Sequence, residues 1–560
     1  MSRKRASAVV LSLTATLLTL FMVLGLHRQS RGVDRNLNTN DGSILGWLWT
    51  PSVPASNRPP PSSVRVLTYH NDTARTGQNL EEKILALGNV NSKQFGKVGF
   101  LPVDGLVDAE PLYISALTVS GHSHDVVFVA TEHDSVYAFD ANTLTQLWHV
   151  TVLGAGESPS DNRNCDQVIP ETGITSTPVI AFNEGRGVMY LVAMSKDNNG
   201  NYFQRLHALD ITNGADISGS PATIEATFPT LKGKTTFDPK QYKERAALLF
   251  LDGVIYTSWA SHCDLGDYTG WVIGYNAATL RQVNVLNVTP NGSEGAIWMS
   301  GSGPAADSVG NIFLLDANGT FDRTLNSSGF PINGDFGNGF LKMSVSGAKL
   351  SVTDYFNMRD TGAESNRDED LGSGGALLLP DFKDASGKTW QLAVGAGKDA
   401  RIYVVNRNSM GKFHANNNAI YQEVDHQLTG GIYAAPAYFK DTVYFGAVDD
   451  SLKAFSIRNA RLVPDPASKT SVSFSYPGTT PSISANGTSN AIAWTVEARG
   501  SDAGVLHAYD ACNLGDELYN SNQAGGRDAF ADNKFVTPMI ANGRVFVGTL
   551  TGVIVFGLLH

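Results

Sequence analysis

The chain has 560 residues, 56 of them glycine, and a formal net charge of −11. The acidic balance and the lack of a basic stripe argue against a nucleic-acid binder. The glycine content suits a turn-rich β protein, because tight turns need positive φ.

In chain order the first object is a basic stub, residues 1–5, carrying Arg3, Lys4 and Arg5. Residues 6–26 are uncharged and rich in Leu, Val and Ala, about the length an α-helix needs to cross a bilayer core. The charge before this run keeps the stub in the cytoplasm and sends the remainder across. The segment therefore reads as a signal anchor or a cleaved signal peptide. Residues 27–63, with Pro51, Pro54, Pro59, Pro60 and Pro61, read as an extended linker. Residues 64–560 are expected to lie outside the cytoplasm, whether periplasmic, secreted or membrane-anchored.

That long remainder repeats one phrase: a β-run, a polar turn, then a second β-run closing on a small residue, an aromatic or aliphatic residue, and Asp or Asn. It reads VVFVATEHDSVYAFD at 126–140, LAVGAGKDARIYVVN at 392–406 and AWTVEARGSDAGVLHAYD at 493–510. Its last residues, Asp140, Asp210, Asn276, Asn406, Ser456, Asp510 and Gly557, are spaced 47 to 70 residues apart except for one interval of 130. A unit of this size cannot bury its own apolar face, so copies must stack. The long interval has room for a divergent copy, with 310–322 and 339–345 as inner strands. The pattern predicts an all-β chain, a single eight-bladed β-propeller of four-stranded antiparallel blades, with seven blades as the alternative. The last copy lacks an outer strand, and FGKVGFLPVDG at 95–105 is an outer strand without inner ones. Pairing the two closes the ring and removes two exposed edges.

Each repeat Asp or Asn is expected to tie down a turn through its side-chain oxygen. Cys165, Cys263 and Cys512 allow one disulfide and a free thiol, without fixing the pairing. His122, His124 and His133 invite a zinc reading but lack an evident further ligand. The segment YHNDTARTGQN at 69–79 reads as a capped turn tying the N-terminus to the ring, in preference to a site built on His70, Asp72 and Arg75.

The strings GVLHAYDA, SVYAFDANTLTQLW and RLHALDITNGA, with Thr177-Pro178, Ala435-Pro436 and Thr537-Pro538, resemble the pyrroloquinoline quinone (PQQ) repeat. The resemblance covers roughly 64–560 and is nearest to exported PQQ-like propellers; it implies the eight-bladed fold of quinoprotein alcohol dehydrogenases. It also implies what a working site would need: a Glu, an Asn and an Asp on calcium, a catalytic Asp, a basic residue on the quinone, a tryptophan floor and often an adjacent cysteine pair. On that pattern Asn318 would hold the metal, with Asp368 and Asp370 nearby. Asp354 would be the base, and Lys398, Asp399 and Arg407 would face the quinone. Trp259, Trp271 and Trp298 compete for the floor. The departures are the missing cysteine pair and the missing metal-binding Glu. The leading expectation is thus a binding or scaffold propeller without a working quinone site, meeting an envelope or extracellular protein or glycan. The alternative is a PQQ- and calcium-dependent alcohol or sugar dehydrogenase, and a third reading is a carbohydrate hydrolase or lyase using the acidic residues near Asp368.

Overall fold

The computed structural model describes residues 64–183, 185–498 and 503–559. The basic stub, the apolar run 6–26 and the proline-rich linker lie outside the described residues. Among those described, no helix is long and apolar enough to cross a membrane.

Eight antiparallel sheets form a ring. The first blade runs Leu112–Val119, His122–Ala130, Ser135–Asp140 and Gln146–Thr151 from the axis outward. The divergent blade falls in the long interval, as Ala305–Ala306, Ile312–Leu315, Gly339–Ser346 and Lys349–Asn357. The eighth blade has three strands from the C-terminus, Met539–Ala541, Arg544–Gly548 and Gly552–Leu558, and takes Phe95–Pro102 as its fourth. Phe95 pairs with Leu558 and Pro102 with Gly552, so the two ends of the propeller share one sheet.

The repeat residues have structural duties. Asp140 accepts the N–H groups of Asn142 and Thr143, both at 2.8 Å. Asp210, Asn276 and Asp510 hold equivalent turns. Neighbouring blades are stitched just beyond these turns: the Tyr190 hydroxyl donates to Ala277 O and the Tyr444 hydroxyl to Ala511 O. All these turns join a third strand to a fourth, so they share one face of the disc. The opposite face carries the turns between second and third strands and the segments that lead into each first strand.

The segment 64–79 fills the axis as a spiral. It presents one carbonyl after another to the innermost strands: Ser115 N–H donates to Val64 O, Ile180 to Leu67, Ala306 to Thr73, Leu378 to Ala74, Tyr438 to Thr76 and Ile483 to Gly77, all between 2.7 and 3.0 Å. Arg75 reaches the third blade by donating from Nη2 to Leu248 O, and Asn79 Nδ2 donates to Ile540 O on the eighth. The plug thus contacts all eight blades, its carbonyls in blade order and Arg75 reaching back to the third, which is far more than the capped turn expected. Donors at Ile180, Tyr438 and Ile483 each follow a proline by two residues (Pro178, Pro436, Pro481). The proline has no N–H to satisfy at the strand start, and the next inward N–H is spent on the plug. Gly77 is required where the spiral closes: its φ is +65°, and a Cβ there would lie 2.4 Å from the His70 ring.

Candidate functional site

On the face away from the repeat turns, the eight blades converge on an axial cavity of about 370 Å³. Asp108 enters from the first blade, Gln167 from the second, and Lys243 and Arg245 from the third. Trp298 and Asn318 come from the fourth, Asp368, Asp370 and Lys398 from the fifth, and Tyr433, Tyr476 and Phe535 from the last three. Loops at one end of a propeller naturally deliver unrelated residues to its channel mouth.

Four rings make a continuous aromatic wall. Trp298 lies edge-on to Tyr433 and Phe535 at 6.1 and 6.4 Å, and Tyr476 meets Tyr433 at 5.3 Å and Phe535 at 6.0 Å. Cys263, Asp264, Asp368 and Phe535 all line the cavity with φ between 49° and 60°. Residues other than glycine rarely adopt this left-handed region, and such conformations gather where the surroundings enforce them, often at binding sites.

Among the described residues, two cations in the wall have no carboxylate within ion-pair distance, although Glu132 and Asp108 are near enough to Lys243 to act on its charge. Lys243 and Arg245 are each only 7% exposed. The polar contact of Lys243 is 3.8 Å to Cys165 Sγ, and Arg245 donates to the carbonyls of Thr175 and Ser300. Burial pulls the Lys243 pKa down to about 8, and the more distant Glu132 offsets only part of that pull. Arg245 also lies 5.9 Å from the centre of the Phe535 ring.

Across the cavity the acids are already engaged. Lys398 Nζ lies 2.5 Å from Asp368 Oδ1 and 2.7 Å from Asp370 Oδ1. Burial alone would lower the Lys398 pKa, but the two carboxylates outweigh it and keep the ammonium charged. Asp370 is fully buried, and burial raises its pKa despite Lys398. Asn318 Nδ2 donates to Asp368 Oδ1 at 2.6 Å, while among the described residues Asn318 Oδ1 and Asp370 Oδ2 are buried without a donor of good geometry.

The geometry therefore unites Asn318, Asp368, Asp370 and Lys398, and selects Trp298 among the three tryptophans. Trp259 and Trp271 are wholly buried beside Phe237. The other expected site residues lie elsewhere. Asp354 stands on the outermost strand of its blade and accepts the Met410 N–H at 2.9 Å. Asp399 turns toward Tyr403, whose hydroxyl donates to it at 2.5 Å. Arg407 is spent on Leu379 O at 3.3 Å, with Asp381 3.6 Å away. It follows the strand Ile402–Asn406, so it emerges on the face opposite Lys398. Asp399 shares the turn of Lys398 but bonds away from the cavity, Arg407 lies at the far end of its strand, and Asp354 lies on the outermost strand of its blade.

Two features of the wall had weak sequence signals or none. The disulfide joins Cys165 to Cys263, 98 residues apart, and reaches the cavity through Cys263; Cys512 is free and exposed. Lys243 lies in the short strand Tyr242–Glu244 and Arg245 just after it, in a segment with no repeat signature. The histidines do not converge: His124 Nδ1 pairs with Asp140 and His133 Nδ1 with Glu171.

Calcium fits this lining poorly. Asn318, Asp368 and Asp370 offer the hard oxygens a divalent ion takes, but Lys398 already stands between the carboxylates. Among the described residues no glutamate lines the cavity, and no group of three or more His, Cys, Asp or Glu is arranged to hold a metal. A flat polyanionic quinone would find the aromatic wall and the cations, and would also face Asp108, Asp264, Asp368 and Asp370.

No protein-family model matches the chain, and neither does any curated relative. Among solved structures it is similar to the quinohemoprotein alcohol dehydrogenase of Comamonas testosteroni, with 12% identity, TM-score 0.56, and 88% of this chain and 80% of that one covered. A quinohemoprotein alcohol dehydrogenase from Pseudomonas putida gives 13% identity and TM-score 0.59 with the same coverage. At these identities the likeness establishes the fold, an eight-bladed propeller related in architecture to those enzymes, and leaves function to the site.

Proposed function

We propose that the protein is a binding propeller displayed outside the cytoplasm, whose axial cavity takes an acidic sugar residue presented by an envelope or extracellular glycan. The observation that carries this reading is the pair of buried cations, Lys243 and Arg245, without a salt bridge among the described residues and beside a wall of four aromatic rings. A sugar carboxylate would supply the missing anion, and the apolar face of a pyranose packs on aromatic rings. The remaining acids then have a use. Hydroxyl groups donate well to carboxylates such as Asp264 and Asp368.

The reading predicts a charge and pH signature. Trigalacturonate should bind the full chain, and neutral maltotriose of similar size should not. Replacing Lys243 with methionine should weaken trigalacturonate by about tenfold or more, the equivalent of one charge-assisted hydrogen bond of about 1.5–3 kcal/mol. Affinity should fall as pH rises through about 8, where Lys243 loses its proton, and the Lys243→Met variant should be flat over that range. Calorimetric titration at several pH values measures all three. Equal binding of the neutral and acidic sugars would sink the proposal.

A second reading, quinone-dependent alcohol oxidation, is favoured by the meeting of Trp298, Asn318 and Asp370 in one cavity lined by a disulfide. Its test is a Trp298→Ala variant in a dye-reduction assay with PQQ, calcium and an alcohol. Alcohol-dependent turnover that disappears in the variant is the outcome this second reading requires.

A further inference from the structure

We infer that Lys398 is a built-in replacement for a divalent cation: its ammonium occupies the point between Asp368 and Asp370 that a metal ion would otherwise take, and makes the axial site metal-independent. The inference rests on the axial cavity being the binding site, as proposed above, but not on which ligand enters it.

Geometry makes the case. One nitrogen lies within 2.7 Å of two carboxylates that come from the same loop, two residues apart. Two carboxylates so close repel each other unless a cation stands between them. One of them, Asp370, has a side chain only 1% exposed. Its Oδ1 takes the Lys398 ammonium at 2.7 Å, while among the described residues its Oδ2 and the buried Asn318 Oδ1 have no hydrogen-bond donor of good geometry. Buried acceptors are normally hydrogen-bonded. One ammonium thus bridges two carboxylates and leaves spare buried oxygens beside it, oxygens that a cation with a larger coordination shell would use. Calcium uses such oxygens, from carboxylates and from side-chain amides. The lysine supplies a single charge and three directional N–H groups, so it neutralises the pair without using every oxygen. Its stem passes the aromatic wall, with Nζ 5.8 Å from the centre of the Trp298 ring.

The chemical consequence is asymmetric. With Lys398 present, an added divalent ion must displace a buried, charged ammonium. With Lys398 replaced by glutamine, Asp370 is left buried beside Asp368 with no counter-charge. The same oxygens, joined by the glutamine carbonyl, then form a vacant calcium site. Calcium should bind and stabilise the folded form, because any ion that binds only the native state raises its stability.

Thermal unfolding of the full chain tests this in chelator and in calcium, with terbium as a luminescent probe. The wild type should melt at the same temperature in both, and should show no terbium luminescence sensitised by Trp298. Lys398→Gln should melt lower in chelator and recover in calcium. It should bind one terbium ion at the cavity, about tenfold or more tighter than wild type, with calcium competing. Adding Asp370→Asn to that variant should abolish the gain. If Lys398→Gln is soluble only when expressed with calcium, that also supports the replacement. A wild type that calcium stabilises, or a Lys398→Gln protein that neither calcium nor terbium affects, overturns it. Failure of trigalacturonate to bind would refute the sugar reading while leaving this result untouched.

Discussion

Replacing Arg75 by alanine is expected to cost about 4 kcal/mol or more of stability, although Arg75 touches no ligand. Its side chain is wholly buried at the centre of the ring. Nε donates to Pro304 O at 3.0 Å, Nη1 to Thr68 Oγ1 at 2.7 Å and Tyr69 O at 2.9 Å, and Nη2 to Leu248 O at 3.2 Å. Alanine leaves these acceptors buried without a donor, at about 1–3 kcal/mol each, and opens a cavity at the axis. Burial has already lowered the Arg75 pKa to about 10, a sign of how strongly the site disfavours charge. The hydrogen bonds outweigh that penalty. Arg75→Lys should recover only part of the loss, because one ammonium cannot reproduce a five-donor fork aimed at two blades and the plug. Urea denaturation of the three proteins measures the effect; a loss under about 1 kcal/mol for alanine would mean that the plug does not hold the ring together.

Removing the closing strand should be still more damaging. Phe95 is fully buried against Trp494, Tyr519 and Phe556, with centroid distances of 5.4, 5.0 and 6.3 Å. Truncating it to alanine should cost about 3–5 kcal/mol. Deleting 95–102 also strips the pairing partner from Gly552–Leu558. The eighth blade then presents a bare strand edge, a template for association with another copy. The deleted chain is expected to melt well below the wild type and to aggregate. An unchanged melting curve would show that the ring closes some other way.

The fold was readable in the chain because every blade repeats the same packing problem. The spacing of Asp140, Asp210, Asn276, Asn406, Ser456 and Asp510 counts blades; all but Ser456, which lies inside the strand Asp450–Arg458, end a strand and hold the next turn. Even the divergent fourth blade kept its alternation, and Phe95–Pro102 announced itself as a strand without a partner. The plug was less readable. It works through main-chain carbonyls, which any residue supplies, so only Gly77 and the positive-φ positions His70, Asn71 and Arg75 mark it.

The site was readable only where a loop could be assigned to an end of its strand. Asp368, Asp370 and Lys398 lie in segments on the cavity face. Arg407 shares a string with Lys398, but the strand Ile402–Asn406 has five residues, and at about 3.3 Å per residue it carries Arg407 about 16 Å away. Asp354 failed for a related reason: its strand is the outermost of the blade, the position farthest from the axis. Lys243 and Arg245 come from one short strand and its end, and Tyr433, Tyr476 and Phe535 from three separate loops, so nothing in their spacing links them. The Cys165–Cys263 bridge joins two such loops across 98 residues.

The most direct measurement is a calorimetric titration of the intact wild-type chain with trigalacturonate, run once in chelator and once in calcium. The account predicts one binding site with the same affinity in both buffers, because Lys398 already supplies the cation and Lys243 and Arg245 receive the sugar carboxylate. No binding in chelator, with binding restored by calcium, would contradict it.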